Sequence, residues 1–181
     1  MALGATVHNF DIDLADADRN VYETLALRVA RHPSESDEYL VVRVLAYCLE
    51  YTEGIAFSSA GLSGPDEPPI AIRDLTGTMR AWIDVGTPDA ARLHRASKLV
   101  PRVAVYVHKD PTQWLRGLAG ERIHRTEDLE LYAVDRPLIG GLVARLERRM
   151  AFALSVAERE LFVSLADATL SGGVTRLTLG A

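Results

Sequence analysis

Three acidic side chains stand where a folded α/β core could bring them together. Glu38 lies early in a predicted helix, Asp66 lies in a Gly-Pro-Asp-Glu-Pro turn, and Asp84 ends a predicted strand. Lys98 is on the helix that follows this strand, and its ammonium could meet the negative charge of a phosphate. Carboxylate oxygens suit Mg²⁺ or Mn²⁺, which polarise phosphodiesters and activate water. These residues therefore predict a metal-dependent phosphodiesterase site.

Four further side chains are predicted to contact a substrate. Two belong to a basic stripe at three-residue spacing, which on a helix could follow a phosphate backbone. The third is a tryptophan that could stack on a base, and the fourth is a histidine that could line the cleft or bond a helix terminus. In reverse chain order they are Arg95, Arg92, Trp82 and His32. Arg95 also competes with Lys98 for the cationic role, although a guanidinium cannot act as a base.

Each of these residues also has a purely structural interpretation. Asp66 suits a turn or a helix cap. Glu38 could pair with an arginine such as Arg43, and Trp82 could pack in the core. The basic stripe could be a solvated helix face. The sequence alone leaves the catalytic and the structural interpretations open.

Composition places the chain among ordinary globular proteins. Its 181 residues are 48% hydrophobic and 25% charged, as expected for one domain with its own core. The formal net charge of −5 argues against coating nucleic acid by bulk electrostatics, although a local basic groove remains compatible with it. The histidines are scattered and show no zinc-binding spacing.

Cysteine usage and hydropathy predict a cytoplasmic protein without a membrane span. Cys48, the only cysteine, falls on the apolar side of a predicted helix, where a buried thiol is expected. No apolar stretch approaches the roughly 20 residues that cross a bilayer. The Met-Ala-Leu-Gly start lacks the basic and apolar segments of a signal peptide.

Two strands open the predicted fold. Phe10, Ile12 and Leu14 alternate with acidic residues, as in a strand with one face in water. The segment from Tyr22 to Ala30 is favoured as the second strand of a hairpin, although a helix would also fit it.

A helix is then predicted from Ser34, its N-cap, to about Tyr51. Its apolar stripe includes Val41, and counting back three residues reaches Glu38. Glu38 is therefore expected to point inward, where its buried charge would need a basic partner or a metal. Glu35 is expected to be more exposed.

The centre of the chain predicts a βαβ unit. A strand from Met79 to Val85 places Trp82 and Asp84 on one face. A helix over 88–100 and a buried strand over 103–107 follow, so the two strands should be parallel with a right-handed crossover. The other predicted elements are a strand over 55–59, helices over 112–118 and 136–148, and strands over 129–134, 150–156, 161–165 and 174–179.

Together these elements predict an α/β fold, with a single compact domain over residues 1–181 and a central mixed sheet flanked by helices. Several motifs resemble the YaeQ family nearly end to end. They are Arg31-His32-Pro33-Ser34-Glu35, Leu45-Ala46, Asp66-Glu67-Pro68, Trp82-Ile83-Asp84-Val85-Gly86 and Pro88-Asp89. The resemblance implies a PD-(D/E)XK nuclease-like core with extra strands.

The resemblance also implies roles for three residues. Glu38, Asp66 and Asp84 would correspond to the acidic residues that bind Mg²⁺ and activate water in the nuclease superfamily. The chain departs from that pattern at Gly86, where a lysine is expected two positions after the third acid. Lys98 on the next helix is the predicted replacement.

Two classes of function follow from these observations. The first is a Mg²⁺- or Mn²⁺-dependent phosphodiesterase or nuclease acting on DNA or RNA. The second is a catalytically degenerate nuclease fold that binds nucleic acid or a protein without cleaving. A serine hydrolase has little support because no Gly-x-Ser-x-Gly elbow is present.

Overall fold

A mixed sheet of ten strands wraps around one buried helix in the computed structural model, which describes residues 4–58, 64 and 66–179. The strands are β1 Thr6–Asp16, β2 Val21–Arg31, β3 Ile55–Phe57, β4 Ile70–Arg73, β5 Met79–Val85, β6 Arg102–Val107, β7 Glu130–Val134, β8 Arg149–Ala157, β9 Glu160–Ser164 and β10 Thr169–Leu177. The helices are α1 Asp37–Leu49, α2 Ala90–Leu99, α3 Thr112–Ala119 and α4 Arg136–Val143, with a 3-10 turn at Thr126–Asp128. Across the sheet the order is β2-β1-β8-β9-β10-β7-β6-β5-β4-β3. The predicted α/β domain with a central mixed sheet is confirmed.

The predicted opening hairpin is confirmed. Strands β1 and β2 pair antiparallel from Thr6 opposite Arg31 to Asp16 opposite Val21. Burial alternates along β1, because every second side chain points toward the core. Strand β2 forms one edge of the sheet, and β1 connects it to β8 in parallel pairing.

Helix α1 is buried on every side over its central part. Residues 40–46 are all buried, and seven consecutive residues cover about two full turns. The helix shares one hydrophobic cluster with Phe10 and Leu27 of the hairpin and with Ile83 and Tyr106 of β5 and β6. Because both regions of the sheet contact the same helix, the sheet must curl around it.

The start of α1 lies two residues later than predicted. Ser36, not Ser34, is the N-cap, and its Oγ accepts a hydrogen bond of 3.1 Å from the Tyr39 N–H. Ser34 belongs to a preceding turn, in which Glu35 N–H bonds His32 O at 2.9 Å. The N-cap prediction was wrong because this turn also satisfies the side chain of Ser34.

The predicted βαβ unit is confirmed. Strands β5 and β6 pair in parallel, and α2 connects them. Trp82, Leu93 and Val105 form a second hydrophobic cluster on the sheet face opposite α1. Helix α2 begins at Ala90 rather than Pro88, because the Asp89 carboxylate caps it.

Four elements differ from the sequence patterns. Strand β4 was not predicted, since it has only four residues directly after two prolines. Helix α4 ends at Val143 instead of Arg148, and two consecutive glycines reduce its helix propensity. Strand β10 starts earlier than predicted and includes Gly172, where a Cβ would lie 2.6 Å from the Asp135 carboxylate. The last two residues of the strand predicted over 55–59 are Ser58, which is outside β3, and Ser59, which lies outside the described residues.

None of the helices in the described part of the chain is long and apolar enough to cross a bilayer.

Candidate functional site

Asp84 is buried at the end of β5, where Arg92 of α2 holds its carboxylate. The residue is 3% exposed. Arg92 Nε donates to Oδ2 at 2.7 Å and Nη2 donates to Oδ1 at 3.4 Å. Trp82 Nε1 also donates to Oδ2, and the Val85 N–H donates to Oδ1, both at 3.2 Å. Both carboxylate oxygens are therefore engaged by donors from the protein itself.

Arg92 also connects the loop before β4 to β5 by hydrogen bonds. Its Nη1 donates to Gly64 O at 2.7 Å, and its Nη2 donates to Glu67 O at 3.0 Å. The guanidinium carbon lies 5.1 Å from the centroid of the Trp82 ring, which is cation–π geometry. We call Trp82, Asp84 and Arg92 the arginine clamp, because one guanidinium joins a strand, a helix and a loop.

The arginine clamp uses a carboxylate that was predicted to bind a metal. A guanidinium 2.7 Å from Oδ2 already supplies the positive charge that a divalent cation would bring. Residues 4–58, 64 and 66–179 contain no group of three or more His, Cys, Asp or Glu side chains arranged to hold a metal. In this arrangement the predicted ligands do not fit Mg²⁺ or Mn²⁺, and binding of either ion stays a prediction.

Glu38 does not point inward as predicted. It is exposed in the first turn of α1, before the buried run begins at Leu40. The buried carboxylate is instead Glu35, which is 6% exposed and accepts a hydrogen bond of 3.3 Å from Arg43 Nη1. Burial raises the pKa of Glu35, although Arg43 opposes the shift. A carboxylate does pair with Arg43, but it belongs to Glu35, which was predicted to be exposed, and not to Glu38.

Glu38 and Asp84 also belong to opposite sides of the sheet. Helix α1 packs on the face that carries Ile83 and Val85. Asp84 shares the other face with Trp82, which α2 covers. The alternation along β5 was predicted correctly, but it does not reveal which face each helix covers.

The predicted substrate and cationic residues are also dispersed. Arg95 and Lys98 are exposed on α2, and Lys98 lies six residues beyond Arg92, about 9 Å along the helix axis. Trp82 is fully buried at 0% exposure, so its ring is closed to a base. Arg92 is the basic residue that contacts Asp84.

His32 and Asp66 have local surroundings of their own. His32 Nδ1 and Ser34 Oγ lie 2.7 Å apart, within the turn before α1. Asp66 is exposed in a turn, next to the residue whose carbonyl accepts a hydrogen bond from Arg92. The structure thus brings together Asp84, Arg92 and Trp82 but not the full predicted set.

A cleft of about 810 Å³ opens at the carboxyl ends of the parallel strands β5, β6 and β7. In doubly wound α/β sheets this edge is where ligands bind. The N-terminal ends of α1 and α4 meet here, and each contributes side chains to the wall. We call this the edge cleft; it is lined by Ser36, Glu38, His108, Lys109, Arg136, Pro137, Ile139 and Gly140.

His108 is the least satisfied polar group of the edge cleft. Its Nδ1 is buried and has no hydrogen-bond partner within the described part of the chain. Burial lowers the pKa of His108, Lys109 lowers it further, and Glu38 opposes the shift. The Tyr39 ring packs edge-on against it at 6.1 Å. The imidazole therefore lines the cleft, while its unpaired Nδ1 is enclosed by the protein.

His108 was not among the site residues predicted from the sequence. It was grouped with scattered histidines because its neighbours in the chain show no metal-binding spacing. One signal could have found it: His108 directly follows the buried parallel strand β6, and such positions form the ligand-binding edge of a sheet.

We predict that the protein loses stability as the pH falls below about 6.5. Burial lowers the pKa of both His8 and His108, so the unfolded chain takes up protons at a higher pH than the folded one. The free energy of unfolding should therefore decrease from about pH 6.5 down to the folded pKa values. Urea denaturation at neutral and mildly acidic pH measures this loss. The loss should be smaller in His108→Asn, because asparagine does not titrate and the contributions of the other groups are the same in both proteins. An equal loss in both proteins would contradict the assignment to His108.

These features define a class of protein: a single α/β domain whose large mixed sheet encloses a buried helix. The sequence matches the family described as YaeQ protein over residues 1–172. The chain belongs to the YaeQ family, and the resemblance seen in its sequence motifs is confirmed.

Solved structures of this family have the same fold. The crystal structure of YaeQ protein from Pseudomonas syringae is similar with a TM-score of 0.87 and 30% identity, over 96% of each chain. The YaeQ protein from Xanthomonas axonopodis pv. citri has a TM-score of 0.84 and 30% identity, over 95% of this chain and 97% of that one.

Curated relatives match over a shorter segment. "Uncharacterized protein YaeQ" of Salmonella typhi is 37% identical over 108 residues, 60% of this chain and 59% of the relative. The protein of the same description from Escherichia coli K12 is 35% identical over the same coverage. The chain spans 59% of the length of these relatives.

Proposed function

We propose that this YaeQ-family protein is a binding module that holds a phosphate group of single-stranded nucleic acid in the edge cleft without hydrolysing it. The observation that carries the proposal is that two exposed cationic side chains, Lys109 and Arg136, line one cleft with the N-terminal ends of α1 and α4. A phosphate group placed between the two side chains would accept charge-assisted hydrogen bonds from both.

The surroundings of His108 suit an anion. Lys109 and Arg136 line the same cleft and are exposed, so both can reach a phosphate. The cleft also receives the N-terminal ends of α1 and α4, where unpaired backbone N–H groups and the helix dipole favour negative charge. Two cationic side chains and two helix N-termini thus line the same cleft.

Glu38 gives the cleft a second kind of contact. Its carboxylate would repel a phosphate that is placed beside it, but it can accept a hydrogen bond from a sugar hydroxyl. A nucleotide carries both groups, whereas a simple inorganic anion carries only the first. The cleft therefore suits a nucleotide chain better than an isolated anion.

The arginine clamp supports binding without cleavage. The sequence resemblance implies a nuclease-like core, in which Asp84 would be one of the three acidic residues that bind the metal. In a hydrolase of that class Asp84 would need to face a metal, but here Arg92 occupies its oxygens. Asp84 instead forms an ion pair that joins β5 to α2.

The test is the affinity of the purified protein for labelled single-stranded DNA and RNA, measured by fluorescence anisotropy with chelator present. The double variant Lys109→Gln/Arg136→Gln should bind at least about tenfold more weakly, because two charge-assisted contacts are lost. The matched control is Arg95→Gln/Lys98→Gln, which removes the two exposed α2 cations and should bind normally. With two phosphate contacts, log Kd should rise with log salt with a slope of about 1.4.

Two results would overturn the proposal. One is equal binding by the edge-cleft variant and the wild-type protein. The other is cleavage of the oligonucleotides in Mg²⁺ or Mn²⁺ that chelator and Asp84→Asn both abolish, which would support the metal-dependent nuclease instead. Undetectable binding to any oligonucleotide would leave the protein-binding alternative.

A further inference from the structure

Glu38 contributes an unpaired carboxylate to the wall of the edge cleft. The residue is exposed in the first turn of α1. Within residues 4–58, 64 and 66–179 it takes part in no hydrogen bond or ion pair. In particular, the two cations that line the same cleft, Lys109 and Arg136, are not paired with it. Both carboxylate oxygens are therefore open to a ligand.

Two other carboxylates beside the cleft have structural uses that Glu38 lacks. Asp37 forms an ion pair of 2.6 Å with Arg31. Asp135 caps α4 and accepts a hydrogen bond of 3.3 Å from the Leu138 N–H. The helix dipole favours an acidic residue in the first turn of α1, but this interaction leaves the lone pairs of Glu38 unused.

Glu38 and Lys109 act on the same side chain of the cleft wall. Burial lowers the pKa of His108, Lys109 lowers it further, and Glu38 raises it. The carboxylate and the ammonium are therefore both close to one imidazole. A ligand in the edge cleft thus meets a group that donates hydrogen bonds and a group that accepts them.

The chemistry of a nucleotide decides which of its atoms suit Glu38. An ionised carboxylate only accepts hydrogen bonds, and so do phosphate oxygens, so a phosphate cannot satisfy it. In an internal deoxynucleotide both sugar oxygens that join the chain are esterified, and the sugar has no donor left. Ribose adds the 2′-hydroxyl, on the carbon next to the one that carries the 3′ phosphate, and this group distinguishes RNA from DNA.

We infer that the edge cleft prefers RNA to DNA, because Glu38 accepts a hydrogen bond from a ribose 2′-hydroxyl while Lys109 and Arg136 hold the adjacent phosphate. This inference rests on the proposed binding of single-stranded nucleic acid and assigns its substrate class. The cleft volume of about 810 Å³ is within the range of small-molecule sites, so it has room for a nucleotide. With DNA the carboxylate finds no sugar donor and only repels the phosphate, so Glu38 acts against DNA as well as for RNA.

The test compares single-stranded RNA and DNA of the same sequence by fluorescence anisotropy with chelator present. Each carries a 5′ label and a 3′ phosphate, so DNA has no terminal sugar hydroxyl. The wild-type protein should bind RNA about tenfold more tightly, the gain expected for one hydrogen bond to a charged group. Glu38→Ala should bind RNA more weakly and DNA more tightly, which brings the ratio close to one. RNA with 2′-fluoro sugars lacks the donor and should bind to the wild-type protein about as weakly as DNA.

The matched control is Asp37→Asn, which removes one negative charge from the same helical turn outside the cleft lining. It should leave the ratio of RNA to DNA affinity unchanged, whereas a general electrostatic effect would change it as Glu38→Ala does.

Three results would overturn the inference: a wild-type ratio near one, an RNA preference that persists in Glu38→Ala, or 2′-fluoro RNA bound as tightly as RNA. In each case the proposed function stands if Lys109→Gln/Arg136→Gln weakens the binding of RNA and DNA alike. Binding of neither oligonucleotide, or unchanged binding by that double variant, would overturn the proposed function and the RNA preference together.

Discussion

Replacing Arg43 by methionine is expected to lower the free energy of unfolding by about 3–5 kcal/mol. Arg43 is 1% exposed inside the core and pairs with Glu35, which is 6% exposed. Without the guanidinium, the Glu35 carboxylate would stay buried without its paired side chain, and Ala30 O would lose a hydrogen bond of 2.8 Å. Urea denaturation at neutral pH measures the change.

Two further variants make the result specific to the buried charge. Arg28→Met removes an exposed arginine and should change the free energy of unfolding by less than about 0.5 kcal/mol. Glu35→Gln combined with Arg43→Met removes both charges, so it should be more stable than Arg43→Met alone. A loss below about 1 kcal/mol in Arg43→Met would be inconsistent with a buried ion pair at this place.

Replacing Arg92 by methionine should also destabilise the protein, by about 3–5 kcal/mol. The Asp84 side chain is 4% exposed and the Arg92 side chain is 16% exposed, so the ion pair is largely shielded from water. Among the described residues, the variant leaves the Asp84 carboxylate with its Trp82 and Val85 donors and detaches the Gly64 and Glu67 carbonyls. Differential scanning calorimetry and urea denaturation both measure the loss.

The control for this variant is on the same helix. Arg95→Met removes an exposed arginine three residues later and should change stability by less than about 0.5 kcal/mol. Arg92→Lys should recover only part of the loss, because an ammonium cannot bind one carboxylate and two carbonyls in the planar geometry of a guanidinium. Equal stability of Arg92→Met and Arg95→Met would refute the arginine clamp.

The arginine clamp also changes how the Asp84 variants should be interpreted. Asp84→Ala would remove the acceptor of a buried guanidinium, so a loss of activity could arise from unfolding alone. Asp84→Asn keeps the shape and one accepting oxygen, which makes it the better variant for a cleavage assay. Its folded fraction should be measured in the same buffer as the cleavage.

The elements that the sequence predicted best are strands with a regular pattern of apolar residues. Strand β1 alternates because one side faces the core, and β5 was predicted with its observed bounds. Strand β6 appeared as a continuous apolar run because both of its faces are covered. Helix α1 has no exposed face over residues 40–46, so an inward direction for Glu38 could not be derived from a stripe.

Long-range pairing explains what the sequence could not reveal about the site. The face shared by Trp82 and Asp84 follows from the strand period, and it was predicted correctly. Which basic residue meets Asp84 depends on where α2 starts, and the Asp89 cap brings Arg92 to it. His108 gains its importance only from the helix ends that surround it, and these are distant in the chain.

Helix α1 mechanically connects the edge cleft to the opposite end of the helix. Its N-cap Ser36 is in the wall of the edge cleft, and its C-cap Glu50 accepts hydrogen bonds from Arg102 and Tyr106. A helix of 13 residues is a stiff rod about 20 Å long. A shift of this helix along its axis would displace the wall of the edge cleft and the hydrogen bonds of Glu50 by the same amount, so neither can move without the other.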